Sequence, residues 1–113
     1  MSKLSILLDD QVQFEYDRDF PPDQTQVDFL NNMDKGMDAS GIIIDQEKIQ
    51  APTQEQKLEF VATNLFNALG AKSGSMIGSM TTYLAIKSPK LKQVLFFQQE
   101  DGEMTKKMVY DET

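Results

Sequence analysis

Four aspartates follow one another at short intervals early in the chain, where carboxylates at this spacing could bind a calcium ion. Asp17, Asp19, Asp23 and Asp28 match positions 1, 3, 7 and 12 of a calcium-binding loop. The sixth position of such a loop must be glycine because the chain turns sharply there, and here it is Pro22. A proline followed by an acid is instead typical of a helix start, which nearby acids stabilise. The pattern therefore predicts a helix start, and we expect no metal site.

A glycine- and serine-rich turn at residues 70–75 resembles a phosphate-binding loop only in part. That loop needs a glycine directly before its lysine and follows a strand. Here an alanine precedes Lys72, and the segment before it has a helical pattern. A turn between two helices explains the same residues, although free N–H groups at the second helix start could hold an anion. We keep small-ligand or anion binding at residues 72–76 as an alternative function, with Lys72, Ser73 and Ser75 as its contacts.

The only basic patch lies at residues 87–92, where lysines could contact nucleic-acid phosphates. It contains Lys87, Lys90 and Lys92. The whole chain has a net charge of −7 and a single arginine, which disfavours bidentate recognition of bases or phosphates. Lysines at a helix end also suit the helix dipole. A weak nucleic-acid accessory role is therefore a further alternative, and we expect nucleic acid not to be the main partner.

Cysteine, histidine and tryptophan are absent from the 113 residues. Their absence excludes disulfide frameworks, thiol catalysis, zinc fingers and histidine-based triads or metal sites. Ser73 beside Lys72 does not form a catalytic pair, because neighbouring side chains seldom point at each other. No two of the eighteen acidic residues stand out as a general acid and base. We expect a non-catalytic protein without a cofactor.

Charge is distributed unevenly along the chain. Residues 9–47 hold eleven acids against two bases, a local charge of −9, whereas residues 60–99 hold four lysines and no acid. An acidic surface would attract a basic protein partner, although a solvated surface with clustered signs explains the same pattern. We name Asp17, Asp19 and Asp23 as candidate partner-binding residues.

Hydrophobic periodicity predicts the elements that must position these residues. Alternation of apolar and polar residues indicates strands, and apolar stripes at helical spacing indicate helices. The first segment also fits a short helix, and the Asp101-Gly102 turn favours a C-terminal hairpin. The predicted strands are residues 3–8, 11–17, 41–44, 93–98 and 105–110, and the predicted helices are about 22–40, 53–70 and 76–87.

Strands at both ends with helices between them predict an α+β domain. We expect the N- and C-terminal hairpins to form one antiparallel sheet, with about three helices packed mainly on one face. Residues 1–113 are expected to form a single domain. The apolar run at residues 4–8 is too short for a signal peptide, and no run approaches the roughly 18 apolar residues of a membrane helix. We therefore expect a cytoplasmic protein without a membrane partner.

The strongest strand is apolar on both faces, because Val94, Leu95, Phe96 and Phe97 are consecutive. An antiparallel sheet in a small domain usually has one covered face. A second subunit would cover the other face, whereas a central strand with helices on both sides would need no partner. We name Phe96 and Phe97 as candidate partner-binding residues in a homodimer.

Together these patterns predict a small acidic α+β protein that acts through protein contacts, as an interaction or adaptor domain. Small-ligand or anion binding at residues 72–76 is the first alternative. Weak nucleic-acid binding through Lys87, Lys90 and Lys92 is the second. The patterns identify neither the partner nor the order of the strands.

Overall fold

The computed structural model describes residues 3–20, 22–44 and 46–111, and these residues form three helices and two sheets. The predicted α+β class is confirmed. The strands are β1 (Lys3–Leu8), β2 (Gln11–Asp17), β3 (Ile42–Ile44), β4 (Glu47–Ile49), β5 (Leu91–Gln98) and β6 (Met104–Tyr110). The helices are α1 (Gln24–Ser40), α2 (Gln54–Ala71) and α3 (Gly74–Lys87).

The two longer helices begin with reciprocal side-chain caps. At α1 the Asp23 carboxylate accepts a hydrogen bond from the Gln26 N–H at 2.9 Å, and the Gln26 side chain accepts from the Asp23 N–H at 3.1 Å. At α2 Thr53 and Gln56 form the same pair, as their spacing in the sequence predicts. Each cap satisfies N–H groups that the first helical turn leaves unpaired, so both helix starts are fixed by local sequence.

The connection between α2 and α3 is very short. α2 continues one residue beyond Gly70, and Lys72 then adopts a left-handed conformation with φ of 57°. The N–H of Lys72 donates to the Leu69 carbonyl at 3.2 Å, and the N–H of Ser73 donates to the Ala68 carbonyl at 3.1 Å. These bonds satisfy the last carbonyls of α2, so α3 begins directly after Ser73.

Gly41 joins α1 to the small β3–β4 hairpin. Its φ is +74°, and a β-carbon at this position would lie 2.6 Å from the carbonyl oxygen of Ile49. Ile49 is the antiparallel partner of Ile42, the first residue of β3. Both the backbone conformation and the close approach of β4 therefore require glycine here.

The four-stranded sheet has the order β2-β1-β5-β6 and is mixed, so the expectation of a purely antiparallel sheet is wrong. β1 pairs antiparallel with β2, and β5 with β6, but β1 and β5 run parallel with Leu7 opposite Leu95. β2 runs back to the end of the sheet where β1 starts. After the helices β5 starts at that end too, so β5 runs in the same direction as β1. Hairpin signals are local and carry no information on how two hairpins join.

The hydrophobic core joins one side of this sheet to the helices. Phe66 of α2 packs against Phe96 of β5, with ring centroids 5.4 Å apart. Leu7, Leu95 and Phe97 alternate with core residues along their strands, so they point to the opposite side, and none belongs to the core cluster of the described residues. The largest fully buried hydrophobic side chains are Leu4, Ile6, Val61, Leu65, Tyr83, Leu84, Leu91, Val94 and Phe96.

Candidate functional site

A cleft of about 520 Å³ opens between β2, the first turns of α1 and the start of α3. Its volume lies in the range of roughly 300–1,000 Å³ that is typical of ligand pockets. One wall comes from β2 and α1 and is aromatic, and the facing wall comes from α3 and consists of small residues. The two walls therefore differ in chemistry.

Three aromatic rings line the first wall. Phe14 and Tyr16 are two residues apart on β2 and therefore point to the same face of the sheet, and Phe29 of α1 is 49% exposed. Leu30 next to it is buried and attaches α1 to the core. Partial burial raises the pKa of the Tyr16 phenol, although the nearby charge of Arg18 opposes the shift. The phenol is therefore neutral at physiological pH, and the wall carries no charge.

Small residues of α3 form the second wall. Gly74 and Gly78 lie one helical turn apart, with Ser75 and Ser79 beside them. A β-carbon at either glycine would meet no described atom within 4 Å, so no neighbour inside the fold requires glycine there. The Thr82 hydroxyl donates to the Gly78 carbonyl at 2.7 Å and is satisfied within the helix. This wall therefore lets an incoming group approach the helix backbone closely.

Exposed carboxylates lie next to the aromatic wall. Asp23 and Asp28 belong to the same first turns of α1 that carry Phe29, and Asp19 lies in the preceding turn. The Asp17 carboxylate accepts a hydrogen bond from the Asp19 N–H at 2.9 Å, which shapes that turn. Four salt bridges occur in the described part of the chain, and none includes these acids. Asp23 caps α1, and Asp28 accepts a hydrogen bond from the Gln24 side chain at 2.9 Å, so these acids have neutral partners but no ion pair within the described residues.

Two aromatic residues of this region were not recognised as surface residues from the sequence. Phe20 is 75% exposed in the turn between β2 and α1. Phe29 belongs to an apolar stripe at helical spacing, which predicts burial, yet it stays half exposed while its neighbour Leu30 enters the core. The four-residue spacing of Gly74 and Gly78 is the sequence signal that could have indicated an open face on α3.

A polar cluster connects the three helices. Asp34 of α1 accepts a hydrogen bond from the Tyr83 hydroxyl at 2.5 Å and pairs with Lys87 at 2.8 Å, both on α3. Lys57 of α2 lies 2.8 Å from Asp38 and 3.6 Å from Asp34. Burial opposes ionisation of Asp34, but hydrogen bonds from Lys87 and Tyr83 and the charges of both lysines outweigh it, so its pKa is lowered. Because these groups satisfy one another, we interpret the cluster as structural.

The predicted basic patch is divided in the structure. Lys87 is held by Asp34 at 2.8 Å, whereas Lys90 and Lys92 are exposed at and after the turn into β5. The three ammonium groups therefore do not share one free surface environment. This arrangement gives a nucleic-acid phosphate fewer free contacts than the sequence spacing suggested.

The remaining candidate residues occupy separate places. Lys72 and Ser75 are exposed, and Ser73 makes no side-chain cap hydrogen bond within the described residues. Of these three, only Ser75 lines the cleft. Phe96 is fully buried in the core, so the surface role expected for it is not available, while Phe97 is half-buried on the opposite side of the sheet.

Among the described residues, no group of three or more metal-ligating side chains could hold an ion, and no helix is long and apolar enough to cross a membrane. No protein-family model, curated protein or solved structure matches the chain. The cleft and the charges beside it are therefore the features of the described residues that bear on function.

Proposed function

We propose that this protein is a non-catalytic interaction domain that binds a basic segment of another protein in the cleft between β2, α1 and α3. One observation carries the proposal: an exposed aromatic wall faces a wall of small residues, beside acids that form no salt bridge among the described residues. Such a cleft accepts an apolar anchor side chain, and carboxylates at its edge favour lysine or arginine next to that anchor.

The shape of the cleft suits a helical segment. Gly74 and Gly78 allow a second backbone to approach α3, while Phe29 offers an apolar surface to side chains at helical spacing. Asp19 and Asp28 attract the positive residues that flank such an apolar stripe. A basic amphipathic helix is therefore the partner chemistry that matches both walls and the charge.

Two synthetic peptides test this preference. The first is an amphipathic peptide of about 16 residues with leucines on one face and lysines on the other, and the second replaces every lysine with glutamate. Measured by fluorescence anisotropy, the lysine peptide should bind at least about tenfold more tightly than the glutamate peptide. Its affinity should fall as sodium chloride rises from about 0.05 to about 0.5 M, because salt screens exposed charges.

Two glycine substitutions test whether the lysine peptide binds in the cleft. Gly78→Leu places a side chain in the cleft, whereas Gly70→Leu places one on α2, where a β-carbon also meets no described atom within 4 Å. Leucine is a better helix former than glycine, so neither variant should lose stability. Gly78→Leu should abolish binding of the lysine peptide, and Gly70→Leu should bind like the wild type. Equal binding by both variants, or by both peptides, would overturn the proposal.

Charge reversal measures how much the acids, rather than the walls of the cleft, contribute to peptide binding. The double variant Asp19→Lys and Asp28→Lys should slow association of the lysine peptide, because these carboxylates steer it towards the cleft. The double variant Glu47→Lys and Glu100→Lys is the matched control, since it reverses two exposed acids, on β4 and in the turn after β5. An equal effect of both changes would mean that only net charge matters.

A small apolar ligand is the second candidate, because the cleft volume suits one and the cleft reaches Gly74 and Ser75. The neutral fluorescent probe N-phenyl-1-naphthylamine would then bind the wild type independently of salt. Gly78→Leu would remove this binding as well. Probe binding without binding of the lysine peptide would favour this candidate over the first.

Several further expectations do not depend on this proposal and stay predictions: one domain, the absence of catalysis, the cytoplasmic location and formation of a homodimer. Weak nucleic-acid binding has less support, because Lys87 is paired with Asp34. Anion binding by Lys72 and Ser73 also has less support, since neither residue lines the cleft.

A further inference from the structure

The side of the four-stranded sheet opposite the core carries a continuous row of side chains. The strand register places Val12 beside Leu7, Leu7 beside Leu95, and Leu95 beside Lys107. Val12 is 56% exposed, and Phe97 lies two residues beyond Leu95 on the same side. None of the four apolar residues belongs to the core cluster that the described residues form. This set, together with Val109, is called the outer face.

Charged residues border the outer face asymmetrically. Glu15 lies on the edge strand β2, on the same side as Ser5, whose hydroxyl lies 3.5 Å from the Glu15 carboxylate. Lys107 lies on the opposite edge strand, β6. Asp17, also on β2, lies in register with Lys3 and therefore has a cation beside it. The outer face thus has an acid at one edge, a lysine at the other and apolar side chains between them.

We propose that a second copy of this chain covers the outer face, in a two-fold dimer whose axis runs parallel to the strands. Rotation about such an axis stacks β2 of one copy on β6 of the other. Leu95 then lies over the partner's Leu7, which buries the apolar row in a two-layer sheet about 10 Å thick. In this arrangement Glu15 of each copy faces Val109 of the other. Lys107 lies two residues from Val109, about 7 Å along the strand, so it comes near Glu15.

The alternative two-fold axis, perpendicular to the strands, is disfavoured by charge. It stacks β2 on β2 and β6 on β6, and an axis that passes through the row of Leu7 and Leu95 places Lys107 opposite Lys107. Like charges facing each other across an interface are unfavourable. The arrangement of charges on the outer face therefore selects one of the two orientations.

The size of the face limits the strength of this dimer. Four strands about 4.8 Å apart and about six residues long give a surface of roughly 15 by 20 Å. Counted over both copies this is about 600 Å², which is below the roughly 1,200–2,000 Å² of stable specific complexes, so the proposed dimer is weak and transient. We expect a dimer that dissociates at micromolar concentration.

Sedimentation equilibrium over a range of concentrations measures this association directly. The wild type should change from its 12.8 kDa monomer mass towards twice that value as concentration rises. Leu95→Lys should remain monomeric, because it places a charge at the centre of the outer face. Lys48→Glu on β4 should associate like the wild type. A monomeric wild type at all concentrations, or a dimer that Leu95→Lys leaves intact, would overturn the proposal.

Charge exchange tests the orientation of the two copies. Glu15→Lys and Lys107→Glu should each weaken the homodimer at least about tenfold, because each creates two repulsive contacts. An equimolar mixture of these two variants should form a heterodimer, since each then offers the charge that the other lacks. The double variant with both changes should regain wild-type association. Failure of both rescues would exclude the proposed orientation.

Circular dichroism melting of every variant distinguishes loss of association from loss of folding. This dimer is independent of the proposed peptide-binding cleft, because the cleft and the outer face share no residue. Gly78→Leu should therefore associate like the wild type. If peptide binding fails while self-association and its charge rescue hold, only the proposed function is wrong.

Discussion

The hydroxyl of Tyr83 donates a hydrogen bond to the Asp34 carboxylate, which links α3 to α1 beside the core. The same carboxylate pairs with Lys87 and lies 3.6 Å from Lys57 of α2. The Lys57 side chain is only 9% exposed, so its charge depends on these carboxylates for stabilisation. One acid on the polar side of α1 therefore fixes the positions of three helices.

Replacement of Asp34 by alanine should destabilise the fold by about 2–4 kcal/mol. The change leaves Lys57 with Asp38 alone and leaves the Tyr83 hydroxyl without its acceptor, and loss of one partner of a buried pair is costly. Lys35→Ala, at an exposed position on the same helix, should change stability by less than about 0.5 kcal/mol. Urea denaturation measures both values. Similar small losses in the two variants would contradict a structural role for the cluster.

Acid should destabilise the wild type more than Asp34→Asn. The pKa of Asp34 is lowered in the folded state, so the unfolded chain binds the proton more readily, near the ordinary aspartate pKa of about 3.9. The stabilisation is complete above that pKa and is lost as pH falls through the folded-state value. Urea titrations at about pH 6, 4 and 3 should show a steeper loss for the wild type. Equal losses of stability in the wild type and in Asp34→Asn would mean that other carboxylates cause the acid sensitivity.

Arg18 should stabilise the end of α3. Its guanidinium donates to the Ser88 carbonyl at 3.0 Å and to the Ala85 carbonyl at 3.3 Å, and Pro89 has no N–H to pair with Ala85 within the helix. Arg18→Ala should lower the free energy of unfolding by about 1–2 kcal/mol. Arg18→Lys should recover only part of it, because one ammonium cannot reproduce the planar set of donors. Full recovery with lysine would mean that charge alone is important.

Replacing either of two glycines near the end of α1 by alanine should change stability, but in opposite directions. Gly36 lies inside the helix, and a β-carbon added there would meet no described atom within 4 Å, so Gly36→Ala should stabilise the fold by about 0.5–1 kcal/mol. Gly41→Ala should destabilise it by more than about 1 kcal/mol, because φ is +74° and the β-carbon would meet Ile49. Thermal melting of the two variants compares them directly. Equal shifts would contradict the geometry at Gly41.

The three helices and the strands of the four-stranded sheet could be located from the sequence because their signals are local, whereas the short strand β4 was missed. Leu65 lies at the centre of an apolar stripe and is fully buried, and Thr53 and Gln56 cap α2 as their spacing indicates. The join between the two hairpins could not be predicted, since nothing near Leu7 or Leu95 specifies a pairing across the whole chain. Sheet order therefore depends on packing rather than on sequence pattern.

The candidate site was harder to predict than the elements. Four consecutive apolar residues give no signal for which ones face inward, and the structure buries Phe96 while turning Phe97 outward. The acidic block was recognised, but its members differ in role: Asp34 joins helices, whereas Asp28 makes no salt bridge within the described residues. These differences arise from tertiary contacts that charge counting does not include.

The parallel pairing of β1 with β5 has a consequence for synthesis on the ribosome. Leu7 and Leu95 are about 88 residues apart, so at roughly 5–20 residues per second β1 waits about 4–18 s for its partner strand. During this interval the first hairpin has an unpaired edge and an uncovered apolar side, both of which promote aggregation. We therefore expect the nascent chain to be prone to aggregation until its last quarter emerges.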